Sequence, residues 1–225
     1  MIEKNSWTAE LLKKLREAFG PRLLFMGLQG SYRRNEATET SDIDVVTVLD
    51  ALSLDDLDTY RKIVKTMPEG EKACGFIAGR EELRHWPKFE IFQLVNETEA
   101  LHGRLDGLVP DVTDADVAES VKIGASALYH ALCHTYLYGD AEARAEVVRG
   151  AYKGAFFLLQ TQNYLRTGVY ADTRKKLLPK LEGDERRILE TRVALKDGAQ
   201  QIDSSDTDAH FDLLIRWCGV LLVEV

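Results

Sequence analysis

Two aspartates one residue apart, Asp42 and Asp44, head an apolar run from Ile43 to Leu49, and a Gly-Ser pair, Gly30-Ser31, follows an earlier apolar run from Leu23 to Leu28. Short runs of this kind, rich in Val, Ile and Leu, read as buried strands. Side chains alternate along a strand, so Asp42 and Asp44 project together while Ile43 and Val45 turn into a core. Two like charges held side by side repel unless a cation neutralises them, and hard carboxylate oxygens suit Mg²⁺ or Mn²⁺. Gly30 allows the backbone to come close to a ligand, and the Ser31 hydroxyl with free amides at a helix start can bind phosphate oxygens. A phosphate cradle and a cation-binding carboxylate pair on neighbouring strands describe a site for metal-dependent phosphoryl or nucleotidyl transfer.

Such a site needs a scaffold, and the flanking sequence predicts one. Residues 6–19 read as an amphipathic helix, with Trp7, Leu11, Leu15 and Phe19 on one face and Gly20-Pro21 as its stop. Ser53, with Asp56 three residues on, caps a helix whose inner face carries Leu57, Ile63, Val64 and Met67. Lys72 to Ala78 is a third strand, and Glu81-Glu82 opens a short turn or helix ending near Trp86-Pro87. Lys88 to Val95 alternates in a way that predicts a further strand, with Phe89 and Ile91 on one face and Glu90 and Phe92 on the other. From Thr113 onward only helical periodicity remains. Thr113 with Asp116, Asp140 and Gly168 mark the ends of two long helices, a short segment broken by Pro179 follows, and two further helices close the chain. Gly150 and Gly154, four apart, predict a close helix approach. The expected fold is α+β, a mixed sheet with helices over residues 1–110, followed by an all-α bundle over residues 111–225.

Gly30-Ser31, a ten-residue gap and Asp42-Ile43-Asp44 resemble the signature of the polymerase-β-like nucleotidyltransferase superfamily, and the stretch GSYRRNEATETSDIDVVTVLD is most similar to its minimal and aminoglycoside-type members. The resemblance implies transfer of a nucleoside monophosphate, most simply AMP from ATP, to a hydroxyl of a small-molecule or protein acceptor, with Mg²⁺ or Mn²⁺ as cofactor. It implies Asp42 and Asp44 as metal-binding catalytic residues, and Glu90, on the predicted later strand, as the third carboxylate; Glu97 and Asp50 are weaker substitutes. Gly30 and Ser31 would hold the triphosphate with help from Arg33 or Arg34, and Ser41 would cap the turn. Two other readings remain beside an enzyme: an antitoxin-type protein that modifies or masks a partner, and a catalytically silent nucleotide-binding module. The resemblance also admits a homodimer whose subunits share an acceptor cleft.

Composition narrows the partners. The chain has 225 residues, 45% of them hydrophobic and 29% charged, with a formal net charge of −8. That balance predicts a soluble globular protein and disfavours nucleic acid, whose binders carry basic patches. The three cysteines, Cys74, Cys133 and Cys218, lie in apolar runs with no metal or disulfide spacing, which predicts buried free thiols in a reducing compartment. With no signal peptide and no apolar run of about 18 residues, a cytoplasmic location and no membrane partner are expected. His130 and His134 are four apart without a third ligand, so zinc is not expected.

Overall fold

The computed structural model describes residues 2–205 and 207–225. The chain divides into two compact units, Met1–Asp111 and Val112–Val225, each with an apolar core of its own.

In the first unit, α1 (Lys4–Phe19) buries Trp7, Leu11, Leu15 and Phe19, each four residues from the last and so on one face. The Glu3 carboxylate caps this helix by accepting from the amides of Asn5 and Ser6. A 3₁₀ turn at Gly20–Arg22 leads into β1 (Leu23–Gln29). One helical turn, α2 (Gly30–Arg33), and a polar segment connect β1 to β2 (Ile43–Leu49). Then come α3 (Leu54–Lys65), β3 (Ala73–Gly79), α4 (Arg80–Arg84), α5 (Lys88–Asn96) and β4 (Glu99–His102). The four strands lie in the order β3-β2-β1-β4. β1 is antiparallel to both β2 and β4, and β2 is parallel to β3. Leu23, Met26 and Leu28 of β1, with Ile43, Val45 and Leu49 of β2, form one core with the buried face of α1.

The segment Lys88 to Val95 is helical, not a strand. Apart from Phe89 its apolar residues come as adjacent pairs, Ile91-Phe92 and Leu94-Val95, and Ile91 with Phe92 is the buried pair while Val95 is exposed. That grouping follows the turn of a helix, and the apparent alternation around Glu90 is a by-product of it. The expected inner face of α3 also needs adjustment, because Leu57 is exposed. β4, four residues of which two are exposed, had no apolar signal to mark it.

At the end of the sheet opposite the Gly-Ser turn, Arg22 ties β1 to α3. Its guanidinium donates to Asp50 at 3.0 Å and to both oxygens of Asp56 at 2.8 and 2.9 Å. Asp56 also accepts from the Ser53 amide and hydroxyl, completing the capping box of α3. The Arg22 guanidinium, and then Ser53, hold the Asp56 carboxyl well below its usual 3.8. A carboxyl depressed in the folded state contributes stability that is complete above its unfolded value and fades as pH falls towards its folded one. Asp56→Ala is therefore expected to cost at least about 1 kcal/mol at neutral pH. In urea unfolding the gap to wild type should narrow below about pH 4. A gap that held constant to about pH 2 would count against the ion pair.

The second unit comprises α6 (Asp114–Tyr138), α7 (Ala141–Thr167), α8 (Arg174–Leu177) with a 3₁₀ turn at Leu178–Lys180, α9 (Gly183–Lys196) and α10 (Asp208–Glu224). Thr113 and Asp116 form a capping box, Asp140 caps α7, and Gly168 ends it at φ 70°. The core joins Val121, Ala125 and Leu132 to Tyr152, Ala155 and Leu159, and then to Ile188, Phe211 and Leu214. Tyr152 bonds its hydroxyl to His210 Nδ1 at 2.8 Å, and burial pushes its phenol up to about 12. Of the expected pair, Gly150 faces open space, while a Cβ at Gly154 would meet Leu128 of α6 at 3.4 Å, an ordinary contact. The tight crossing is at Gly124, where any Cβ would run into Leu158. Cys218 is buried and Cys133 half-buried, but Cys74 is exposed because β3 is an edge strand, contrary to the expectation of three buried thiols.

Candidate active site

β1 and β2 bring the two halves of the site together by register. Gln29, the last residue of β1, pairs with Asp44, the second of β2. Gly30 then leaves the sheet at φ 67°, a left-handed conformation that costs glycine little and other residues more. A Cβ at Gly30 would run into the Asp44 carboxylate. Glycine is thus required twice, for its backbone angle and for the space against Asp44. Asp42, just before β2, is exposed, while Asp44 is half-buried.

The turn after Gly30 is fixed from three sides. The Arg34 amide donates to Gly30 O at 3.2 Å and the Glu36 amide to Ser31 O at 2.8 Å, closing the turn on itself. Tyr32 is buried against the α1 side, where its hydroxyl accepts from the Ile2 amide at 3.2 Å and its carbonyl from Lys4 Nζ at 3.1 Å. Further on, the Ser41 hydroxyl accepts from the Thr38 amide at 2.8 Å, the turn-capping role expected of it.

The third support comes from a segment that sequence reasoning undervalued. Arg34 Nη1 lies 2.5 Å from Glu97 Oε2, and both side chains are more than nine-tenths buried. Arg33 Nη1 stands 3.9 Å from the same oxygen. Beside them Gln29 Nε2 donates to Thr98 Oγ1 at 2.7 Å. Glu97 and Thr98 join α5 to β4, and they hold the end of β1 and the turn in place. Glu97 is therefore a counter-ion to the two arginines, and its only sequence signal was a glutamate just ahead of a polar strand.

Glu90 is corrected. It sits in the first turn of α5, exposed, accepting from Trp86 Nε1 at 2.7 Å. Asp50 belongs to the Arg22 ion pair at the other end of β2. On β3 the residue in register with Asp44 is Cys74, and the strand carries no carboxylate. Among the described residues no group of three or more His, Cys, Asp or Glu side chains is arranged to hold a metal ion. Asp44 remains as the carboxylate beside the turn, with the exposed Asp42 two residues earlier, and carboxylate oxygens are the donors a divalent cation prefers.

The arrangement is a left-handed glycine turn whose backbone packs on an acidic strand residue, with a second carboxylate two residues earlier and an arginine pair behind. It can receive a polyphosphate at the turn and a divalent ion at the carboxylates.

Residues 9–112 match the family model described as the nucleotidyltransferase domain. Among solved structures, the chain is similar to a spectinomycin adenyltransferase from Enterococcus faecialis, crystallised with ATP and spectinomycin. That likeness has a TM-score of 0.61 at 14% identity and covers 96% of this chain and 98% of the other, so it concerns the fold. No curated protein matches the chain. Among the described residues no helix is long and apolar enough to cross a membrane.

Proposed function

We propose that this chain, a nucleotidyltransferase whose residues 9–112 form a nucleotidyltransferase domain of the polymerase-β-like superfamily, moves AMP from ATP onto a hydroxyl of a small molecule. The observation that carries the reading is the packing of the Gly30 turn directly on the Asp44 carboxylate. A small-molecule acceptor is supported by the similarity to an adenyltransferase solved with ATP and spectinomycin.

Asp42 and Asp44 fit a divalent cation by donor type and position, and Mg²⁺ or Mn²⁺ bound there would neutralise charge developing on the α-phosphate. The chain's own groups do the rest. The Ser31 hydroxyl and the amides around Gly30 hold the β- and γ-phosphates. Arg34, buried against Glu97, positions the turn, and Arg33, whose Nη1 is 3.9 Å from the same Glu97 oxygen, reaches the triphosphate. Glu90 has no part in this scheme.

Calorimetric titration of a non-hydrolysable ATP analogue with Mg²⁺ tests the reading. Metal-dependent binding to wild type, absent from the Asp42→Asn/Asp44→Asn double variant, is the expected result. Wild-type protein that binds no nucleotide would overturn it. Pyrophosphate release across a panel of hydroxylated small molecules would then find the acceptor.

A further inference from the structure

Among the described residues no strand pairs with the outer side of β3 or of β4. The β4 edge is four residues long and carries Glu99 and His102, a short polar edge of the kind that resists pairing. The β3 edge is different. It runs for seven residues, Ala73–Gly79, without a charge or a proline, and Cys74 and Gly75 within it are exposed. An unguarded apolar edge of this length is a template for another strand. Alongside it lies a cavity of about 670 Å³ whose lining combines the apolar Tyr60, Val64, Met67 and Phe76 with the charged Arg61 and Lys65.

The charge pattern of α3 identifies the occupant. β2 and β3 are parallel, so the connecting helix runs back between them, its start near the level of Gly79 and its end near that of Ala73. Its first half is acidic, with Asp55 and Asp58 beside the Arg22-bound Asp56, and its second half is basic, with Arg61, Lys62 and Lys65; Asp58 and Arg61 form an exposed ion pair within the helix at 2.7 Å. Leu54 and Leu57 on the first half are 75% and 38% exposed. A two-fold axis normal to the sheet, just outside β3 and level with Phe76 at its middle, would pair β3 antiparallel with its own copy and set the two α3 helices head to tail. Asp55 and Asp58 then face Lys65 and Arg61 of the copy, and Leu54 and Leu57 approach the apolar wall at Tyr60 and Val64. An unrelated strand would satisfy the edge but not this self-complementary helix.

We propose that a second copy of this chain docks on the β3 edge, joining the two four-stranded sheets into one continuous sheet through an isologous contact. The inference is independent of the transfer reading.

Sedimentation equilibrium on the full chain, between about 1 and 100 µM, tests it. Wild type is expected to be a dimer. Arg61→Glu/Lys65→Glu should weaken association at least about tenfold, Asp55→Lys/Asp58→Lys should do the same, and all four changes together should restore it. Far-ultraviolet circular dichroism verifies folding, which the exposed Asp58–Arg61 pair contributes to only slightly. Hydrogen exchange should show the outward amides of β3 protected in wild type and released in either reversal. A wild-type monomer at about 100 µM overturns the proposal. So does a dimer indifferent to both reversals, or one whose β3 amides exchange freely.

Discussion

Asp44→Asn is expected to lower nucleotidyl transfer by about 10³-fold or more while leaving the fold intact. Asparagine matches aspartate in shape, so the pairing of β2 with β1 and β3 is undisturbed. What it removes is one of the two negative charges that would draw a cation to the proposed site. Removing that charge also relieves like-charge repulsion with Asp42, which favours a variant that still folds. Pyrophosphate release beside a thermal melt separates the two effects. A variant that kept its rate would remove Asp44 from the chemistry, and one that lost both rate and stability would show it to be a structural carboxylate.

Gly30→Ala should be nearly as damaging by another route. Alanine at φ 67° costs about 1–2 kcal/mol in backbone strain, and its Cβ would occupy the space of the Asp44 carboxylate. Either the turn or Asp44 must shift, and a displacement on the order of 1 Å at a reacting group costs about 10²-fold in rate. Gly168→Ala is the control. Gly168 has φ 70° and nothing within 4 Å of its would-be Cβ, so it incurs the same strain without touching the site. A loss of stability in both variants, the larger in Gly30→Ala, with activity lost only in Gly30→Ala, is the expected result. Equal activity in both would deny the turn its role.

The parts legible in the sequence were those encoded within a few residues. The break in the chain at Gly30 and the place of Asp44 at the head of β2 could be read because strand alternation and turn chemistry fix what lies where over a short distance. The helix ends at Ser53 with Asp56, Thr113 with Asp116, Asp140 and Gly168 were legible for the same reason, since a cap is a contact between near neighbours. Lys88–Asn96 misled because a short segment with both alternation and paired apolar positions satisfies either period, and burial of Ile91 with Phe92 decided for the helix. With the strand went the reason for assigning Glu90. Glu97 was undervalued because its partner Arg34 lies 63 residues away, where no local pattern reaches. The exposure of Cys74 depended on β3 lying at the edge of the sheet, which strand order settles and composition does not.

The same 63-residue separation between Arg34 and Glu97 sets an order of events as the chain folds. The hydrogen bonds that close residues 30–36 are local and can form early. The side chains that hold that turn against the sheet arrive only when the segment before β4 returns to β1, closing a long loop at an entropic cost that local contacts avoid. A nascent chain that has already emerged as far as α3 therefore carries both aspartates and the glycine turn, but not yet the buried ion pair that fixes their geometry. Completion of the sheet and maturation of the site are one late step.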